Sequence, residues 1–245
     1  FKKPINISIG GKFIKSIFFI KYLVLIFTLA MIFYLFFPKF LNYEKKINYI
    51  ENLLQKNYNI NLISHTKVSY NIFPSPRINI KDSIINFDKN NTNSTVKKLQ
   101  LVLNFSNIYN NDDLKLKKIV FKESKINLNI DRFQHFIKYI FDLNNYIYVQ
   151  NSKILLKNYK EDIIILDNIK FNNRNKKNLV LKSKLMGNKF FIKFFQKKEK
   201  YNLVLLSPNL GIKVNFEFDE DSKYENFSGL AKIKILDNNL KFEFD

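Results

Sequence analysis

Residues Thr66 to Phe87 read TKVSYNIFPSPRINIKDSIINF, and their spacing sets the class of fold. Val68, Tyr70 and Ile72 alternate with polar residues, the period of two that marks a strand with one buried face. Pro74 and Pro76 then break the run. Each lacks a backbone donor and pushes the residue before it, Phe73 or Ser75, toward extended geometry. Two prolines one residue apart do not fit a central strand, so Phe73, Pro74, Ser75 and Pro76 are expected at a bend or sheet edge. Ile78, Ile80 and Ile84 resume the alternation. The stretch reads as a corner between two strands of a β domain.

The same period recurs further along the chain. Leu99, Leu101, Leu103 and Phe105 share one parity, as do Ile126, Leu128 and Ile130. Ile212, Val214, Phe216 and Phe218 follow the rule, and so do Leu240, Phe242 and Phe244. Asn-rich links at Asp88–Asn93, Asn110–Asp113 and Asn172–Asn178 separate the runs, as turns should. Short links between neighbouring strands imply antiparallel meanders, and clean alternation implies one covered and one solvated face. Two segments have helical spacing instead. Ile47, Ile50, Leu53 and Leu54 predict a short helix over Asn42–Lys56; Phe133, Phe136, Ile137, Ile140 and Phe141 predict an amphipathic one over Arg132–Leu143. So little helix cannot cover so much sheet. Either the sheet closes as a sandwich or barrel, or it curls into a trough whose apolar interior holds acyl chains.

Upstream, Tyr22 to Phe37 carries no charge, and the apolar run reaches back to Ile17 if Lys21 snorkels. At 1.5 Å per residue the run spans roughly the 30 Å of a bilayer core. It ends in Leu35-Phe-Phe-Pro38 with no small-residue cleavage site, so it reads as a signal anchor rather than a removable signal peptide. The first residue is Phe1, not Met, which predicts an incomplete or processed amino terminus. Lys2, Lys3, Lys12, Lys15 and Lys21 precede or enter the span, against Lys39, Lys45 and Lys46 after it. That bias predicts a cytoplasmic tail and an exported remainder. Residues 1–40 would be tail and anchor, and 41–245 one exported β domain that continues beyond Asp245.

The formal charge of +20 comes from 41 basic residues, of which only Arg77, Arg132 and Arg174 are arginine. Lys, Asn, Ile, Phe and Tyr are inflated together, as codon drift toward A and T would produce. Nucleic-acid recognition favours arginine and clustering, so no nucleic-acid partner is expected. There is no cysteine, hence no disulfide or thiolate metal site. His65 and His135 are the only histidines, and no nucleophile elbow, phosphate loop or zinc-protease motif occurs. Glu161-Asp162 and Asp219-Glu220-Asp221 read as solvated turn acids. No enzyme, metal or cofactor is expected.

The strand, the Phe73-Pro74-Ser75-Pro76 bend and the following Ile-x-Ile-x-Asp resemble a signature near the start of AsmA-family proteins. The order continues in both directions: apolar span, short helix and Tyr58-Asn-Ile-Asn-Leu-Ile before it, then Val96–Phe105 and Leu114–Ile130 after it. Lys56-Asn57 stands where the family has a glycine after the short helix, and Asn serves there as the second-best left-handed cap. The resemblance implies a bacterial inner-membrane anchor with a periplasmic β-rich domain related to bridge-type lipid transfer proteins. It favours the trough. The expected fold is therefore mainly β with an amino-terminal transmembrane helix, its curved antiparallel sheet forming an apolar groove beside one juxtamembrane and one amphipathic helix. Leu99, Leu101, Leu103, Phe105, Ile126, Leu128, Ile130, Ile212, Val214 and Phe216 become groove candidates for phospholipid or another amphiphile. The alternatives are an assembly factor that binds outer-membrane or periplasmic proteins by edge-strand addition, and an anchored sensor or hydrolase-like domain.

The lysine bias is directly testable. A reporter active only outside the cytoplasm, fused after Asp245, should be active; silence despite good expression would reverse the topology.

Overall fold

The computed structural model describes residues 10–37, 47–87, 93–104, 114–129, 136, 139–140, 146–158, 161–173, 178–197, 200–219 and 229–244. The chain divides into two compact units, Phe1–Asn42 and Tyr43–Asp245. The first contains helix α1, Gly10–Phe36, about 40 Å long at 1.5 Å per residue. Its Phe19–Phe36 stretch has a mean hydropathy of 2.3 and none of it is buried, so it is long and apolar enough to cross a membrane. Thr28 Oγ1 donates to the Val24 carbonyl at 2.7 Å, which satisfies its hydroxyl within the helix.

The second unit is a single open sheet of thirteen strands. Helix α2, Ile47–Tyr58, leads into it and buries Ile50, Leu53, Leu54 and Tyr58. The helix runs past Lys56 because Tyr58 continues the apolar stripe. Its left-handed cap is accordingly Asn59 (φ 49°), whose N–H donates to the Gln55 carbonyl, rather than Asn57. Then come β1 (Ile60–Ser64), β2 (Lys67–Asn71), β3 (Arg77–Phe87), β4 (Ser94–Leu103) and β5 (Leu116–Asn129). After these follow β6 (Tyr146–Asn158), β7 (Glu161–Asn172), β8 (Asn178–Leu185), β9 (Asn188–Lys197), β10 (Lys200–Ser207), β11 (Ile212–Asp219), β12 (Gly229–Ile235) and β13 (Asn238–Phe244).

Strands β1 and β2 share one edge of β3: Ile60–Ser64 pairs with Ile84–Phe87, and Lys67–Asn71 with Arg77–Lys81. Phe73 to Pro76 form the turn between β2 and β3 at this edge, where the missing proline donors remove no ladder bond. The Phe73–Pro74 peptide is cis, and Arg77 Nη2 closes the turn on the Phe73 carbonyl.

From β3 onward neighbours in sequence are neighbours in space, and all pairs but one are antiparallel. The exception is β5 with β6, which run parallel. The register places Tyr146, the first residue of β6, beside Lys118 near the start of β5 rather than beside Asn129 at its end. The sheet is thus mixed, not the purely antiparallel meander that short links predict. Of the helix expected over Arg132–Leu143, Phe136, Tyr139 and Ile140 are helical; its other residues lie outside the described ones.

One line of residues bends this sheet. Asp82 (φ 45°), Glu123 (φ 52°), Asn151 (φ 50°) and Asn168 (φ 50°) adopt left-handed backbone in the middle of β3, β5, β6 and β7. The register sets Asp82 beside Lys97, Lys97 beside Glu123 and Glu123 beside Asn151, so they fall on one transverse crease. At the crease the buried parity flips. In β3 it passes from Ile78 and Ile80 to Ser83, Ile85 and Phe87; in β5 from Ile119 and Phe121 to Ser124, Ile126 and Leu128; in β6 from Ile147 and Val149 to Ser152, Ile154 and Leu156. Ile84, which simple alternation points inward, is therefore only half-buried, and Ile85 takes the core position. A serine follows the left-handed residue in β3, β5 and β6. Each is buried, and Ser83 and Ser152 donate to nearby carbonyls while Ser152 Oγ also accepts from the Ser124 N–H at 3.1 Å.

Asn tolerates left-handed backbone, whereas a β-branched residue does not. Asn151→Val should lower the unfolding free energy by about 1–2 kcal/mol, and Asn151→Gly far less. Urea unfolding of the two variants in detergent, measured by circular dichroism, checks this; equal losses would mean that the Asn side chain, not its backbone, holds the crease.

Candidate functional site: an apolar groove

The registers connect the apolar positions into a ladder that crosses nearly the whole sheet. Val68 faces Ile80, Ile80 faces Leu99, Leu99 faces Phe121, and the parallel step continues to Val149 and Phe171. Leu181, Ile192, Leu205, Val214, Ile233 and Leu240 extend the same line to β13. Burial falls along it. From Val68 to Val149 every member is buried; Phe171 and Leu181 are half-buried, Ile192 is buried again, and Leu240 at the far end is 61% exposed. The ladder starts in a closed core and ends on an open surface.

The closed end has identifiable covers. Phe87 packs its ring on Phe121 and Phe136 with centroids 5.6 Å apart in each case, and on Tyr139 at 6.5 Å. Tyr139 donates its hydroxyl to the Tyr58 carbonyl at the end of α2. Burial pushes the Tyr58 phenol up to about 12, opposed by its hydrogen bond with the Leu116 backbone. Asn173 ties the crossover segment to β6: its Oδ1 accepts from the Ile147 N–H at 2.6 Å, and its Nδ2 donates to the Ile140 carbonyl at 3.5 Å.

Between the closed end and the open strands lies an apolar cavity. Its lining is wholly apolar: Phe87, Phe121 and Ile126, Phe136 and Ile140, Ile147, Val149 and Ile154, Leu166, Ile169 and Phe171, Leu179 and Leu181, Ile192 and Phe194. The crease builds it. Phe121 and Ile126 line it from opposite sides of Glu123, Val149 and Ile154 from opposite sides of Asn151, Leu166 and Ile169 from opposite sides of Asn168. A strand without the kink would turn one member of each pair to the other face.

Of the eight described positions among the ten nominated, Ile126 alone lines this cavity. Leu99, Leu101, Leu103 and Leu128 are buried among protein side chains in the closed core. Ile212, Val214 and Phe216 are half-buried on the open strands, Val214 on the ladder itself and Phe216 one row beside it. Phe105 and Ile130 lie outside the described residues. The lining of β6 and β7 escapes simple alternation because the crease resets the parity within each of them, whereas Leu179 and Leu181 of β8 and Ile192 and Phe194 of β9 each keep one parity. A signal was nevertheless present: Lys81-Asp-Ser-Ile-Ile85, Lys122-Glu-Ser-Lys-Ile126 and Gln150-Asn-Ser-Lys-Ile154 are three copies of one short pattern, and all three sit on the crease.

The acidic clusters stand apart from the groove: Glu161 and Asp162 open β7 and Asp219 ends β11, while Glu220 and Asp221 are outside the described residues. His65 sits between β1 and β2 and is half-buried. Comparison with family models, curated proteins and solved structures finds no match to this chain.

The burial gradient separates core from groove energetically. Leu101→Ala and Leu128→Ala, both at fully buried positions, should each cost about 2–5 kcal/mol. Val214→Ala should cost under about 1 kcal/mol, since its side chain leaves little water-free volume behind. Equal costs in chemical denaturation would show that the open strands are covered in solution.

Proposed function

We propose that this chain is a membrane-anchored carrier of phospholipid or a related amphiphile, organised as AsmA-family proteins are. α1 sits in the bacterial inner membrane with its amino terminus in the cytoplasm, and the β unit stands in the periplasm. The observation that supports this reading is the all-apolar cavity placed on a ladder that runs on to exposed strands. An acyl chain gains about 0.8 kcal/mol for each methylene it buries, while a charged head group would lose its hydration inside so dry a lining and stays at the open side. Transport is passive. Chains slide along the ladder toward the outer membrane while head groups remain in water, and no bond is made or broken, so the groove requires no catalytic group or cofactor. Phe136, Ile140 and Phe87 stop the chain at the closed end. Phe171, Leu181 and Phe194 line the passage to the open one.

Photo-crosslinking residues at Leu181, Phe194 and Val214, in full-length protein expressed in a bacterial envelope, should yield phospholipid adducts by mass spectrometry. The same residue at Lys193, on the opposite face of β9, should yield none. Protein adducts alone at the three groove positions would dismiss the carrier reading.

A further inference from the structure

The face opposite the groove carries its charge in an ordered line. Side chains alternate between faces along a strand, so the sequence neighbours of the apolar ladder point the other way. Lys67 stands opposite Lys81, Lys81 opposite Lys98, and Lys98 opposite Lys122. Gln150 continues the line to Lys170, which faces Lys182. Six lysines thus follow one transverse row over seven adjacent strands, about 29 Å at roughly 4.8 Å per strand. Lys67, Lys81, Lys170 and Lys182 are exposed; Lys98 and Lys122 are half-buried. Among the described residues no Asp or Glu occupies this face between the crease and the ends of β2 to β8 that carry Arg77, Lys118 and Tyr146.

Like charges directly opposite one another destabilise a sheet, and the cost is visible at the centre of the row. Burial, and then the charges of Lys98, Arg77 and Lys118, hold the Lys122 ammonium below its usual pKa, opposed by the Glu123 carboxylate at the crease. Such a row is relieved by an anion laid across it. Two further features identify which anion. Tyr146 and Tyr148 lie on the same face, with Lys118 Nζ 5.9 Å from both ring centroids, and amphipathic tyrosines favour the head-group level of a bilayer. The same chain carries a helix long enough to cross a membrane. We propose that the lysine row with its flanking tyrosines docks the groove-distal face of the sheet on an anionic phospholipid surface. This site is separate from the groove and stands whether or not the groove carries lipid.

Full-length protein in phosphatidylcholine nanodiscs, mixed with sucrose-loaded vesicles, tests the proposal by co-sedimentation. Vesicles containing phosphatidylglycerol should pull the protein down at low salt and release it at high salt; pure phosphatidylcholine vesicles should not bind. Lys98→Gln with Lys122→Gln should weaken binding about thirtyfold, at roughly fivefold for each lysine near an anionic surface. Lys232→Gln with Lys241→Gln, an opposed pair on the same face at β12 and β13, should leave it within about twofold. An unchanged melting curve for both double variants separates binding from folding. Equal losses in the two pairs would reduce the effect to net charge and overturn the site. Retardation of a single-stranded oligonucleotide without vesicle binding would overturn it in favour of nucleic acid.

Discussion

A broad sheet with one apolar face has to hide that face, and among the described residues little is available to hide it. Twelve residues of α2 and the crossover segment around Phe136 to Ile140 cover only the first strands. The rest of the burial has to come from the sheet bending over itself. Burying apolar area is the main favourable term in folding, so the curvature is not ornamental: without it Phe121, Val149 and Phe171 would face water. Everything else in the β unit follows from that requirement, including the fall in burial from Val68 to Leu240.

The bend is achieved by local chemistry repeated in register. A left-handed residue turns the strand, which would throw the following side chains to the wrong face, and the sequence compensates by shifting its apolar residues one place. Small serines then fit where the backbone is most crowded, and the hydroxyls of Ser83 and Ser152 serve backbone groups beside the distortion. Between β3, β4 and β5 the ladder register passes through the crease without a shift. Lys97 and Glu123, exposed and paired at 2.8 Å, mark the same line on the surface. Their pairing holds the Glu123 carboxyl below its ordinary range by hydrogen bond and charge, although an exposed pair adds little to stability.

Much of this was readable from residues alone. Alternation located β2 to β5, β11 and β13 but named no run in β6 to β10 or β12; the Asn-rich stretches fell between strands, and the double proline fell at the edge where missing donors are harmless. The helix before the sheet was visible in Ile47, Ile50 and Leu54, though its end at Tyr58 depended on a tertiary contact. The groove lining was not readable by the same rule. Alternation assumes one phase per strand, and it misassigned Ile84 because Asp82 resets the phase two residues earlier. The parallel pairing of β5 with β6 was hidden for another reason: it depends on where a sixteen-residue crossover returns, which no local pattern encodes. Leu101 and Leu128 show the limit most clearly, since an inward parity cannot tell a closed core from a groove wall.

The step from β5 to β6 also divides the sheet by how far its contacts reach along the chain. Its parallel pairs join residues 28 apart, such as Lys118 and Tyr146, and forming them requires closing a long loop first. Strands β6 to β13 instead make contact mainly with the strand just before and just after, as the units of a solenoid do. Such an array grows or shrinks by whole hairpins without disturbing distant ones, because each addition brings its own neighbours and extends the ladder by about 4.8 Å per strand. Length in this architecture is therefore an adjustable quantity, set by the number of hairpins and independent of the closed core that begins it.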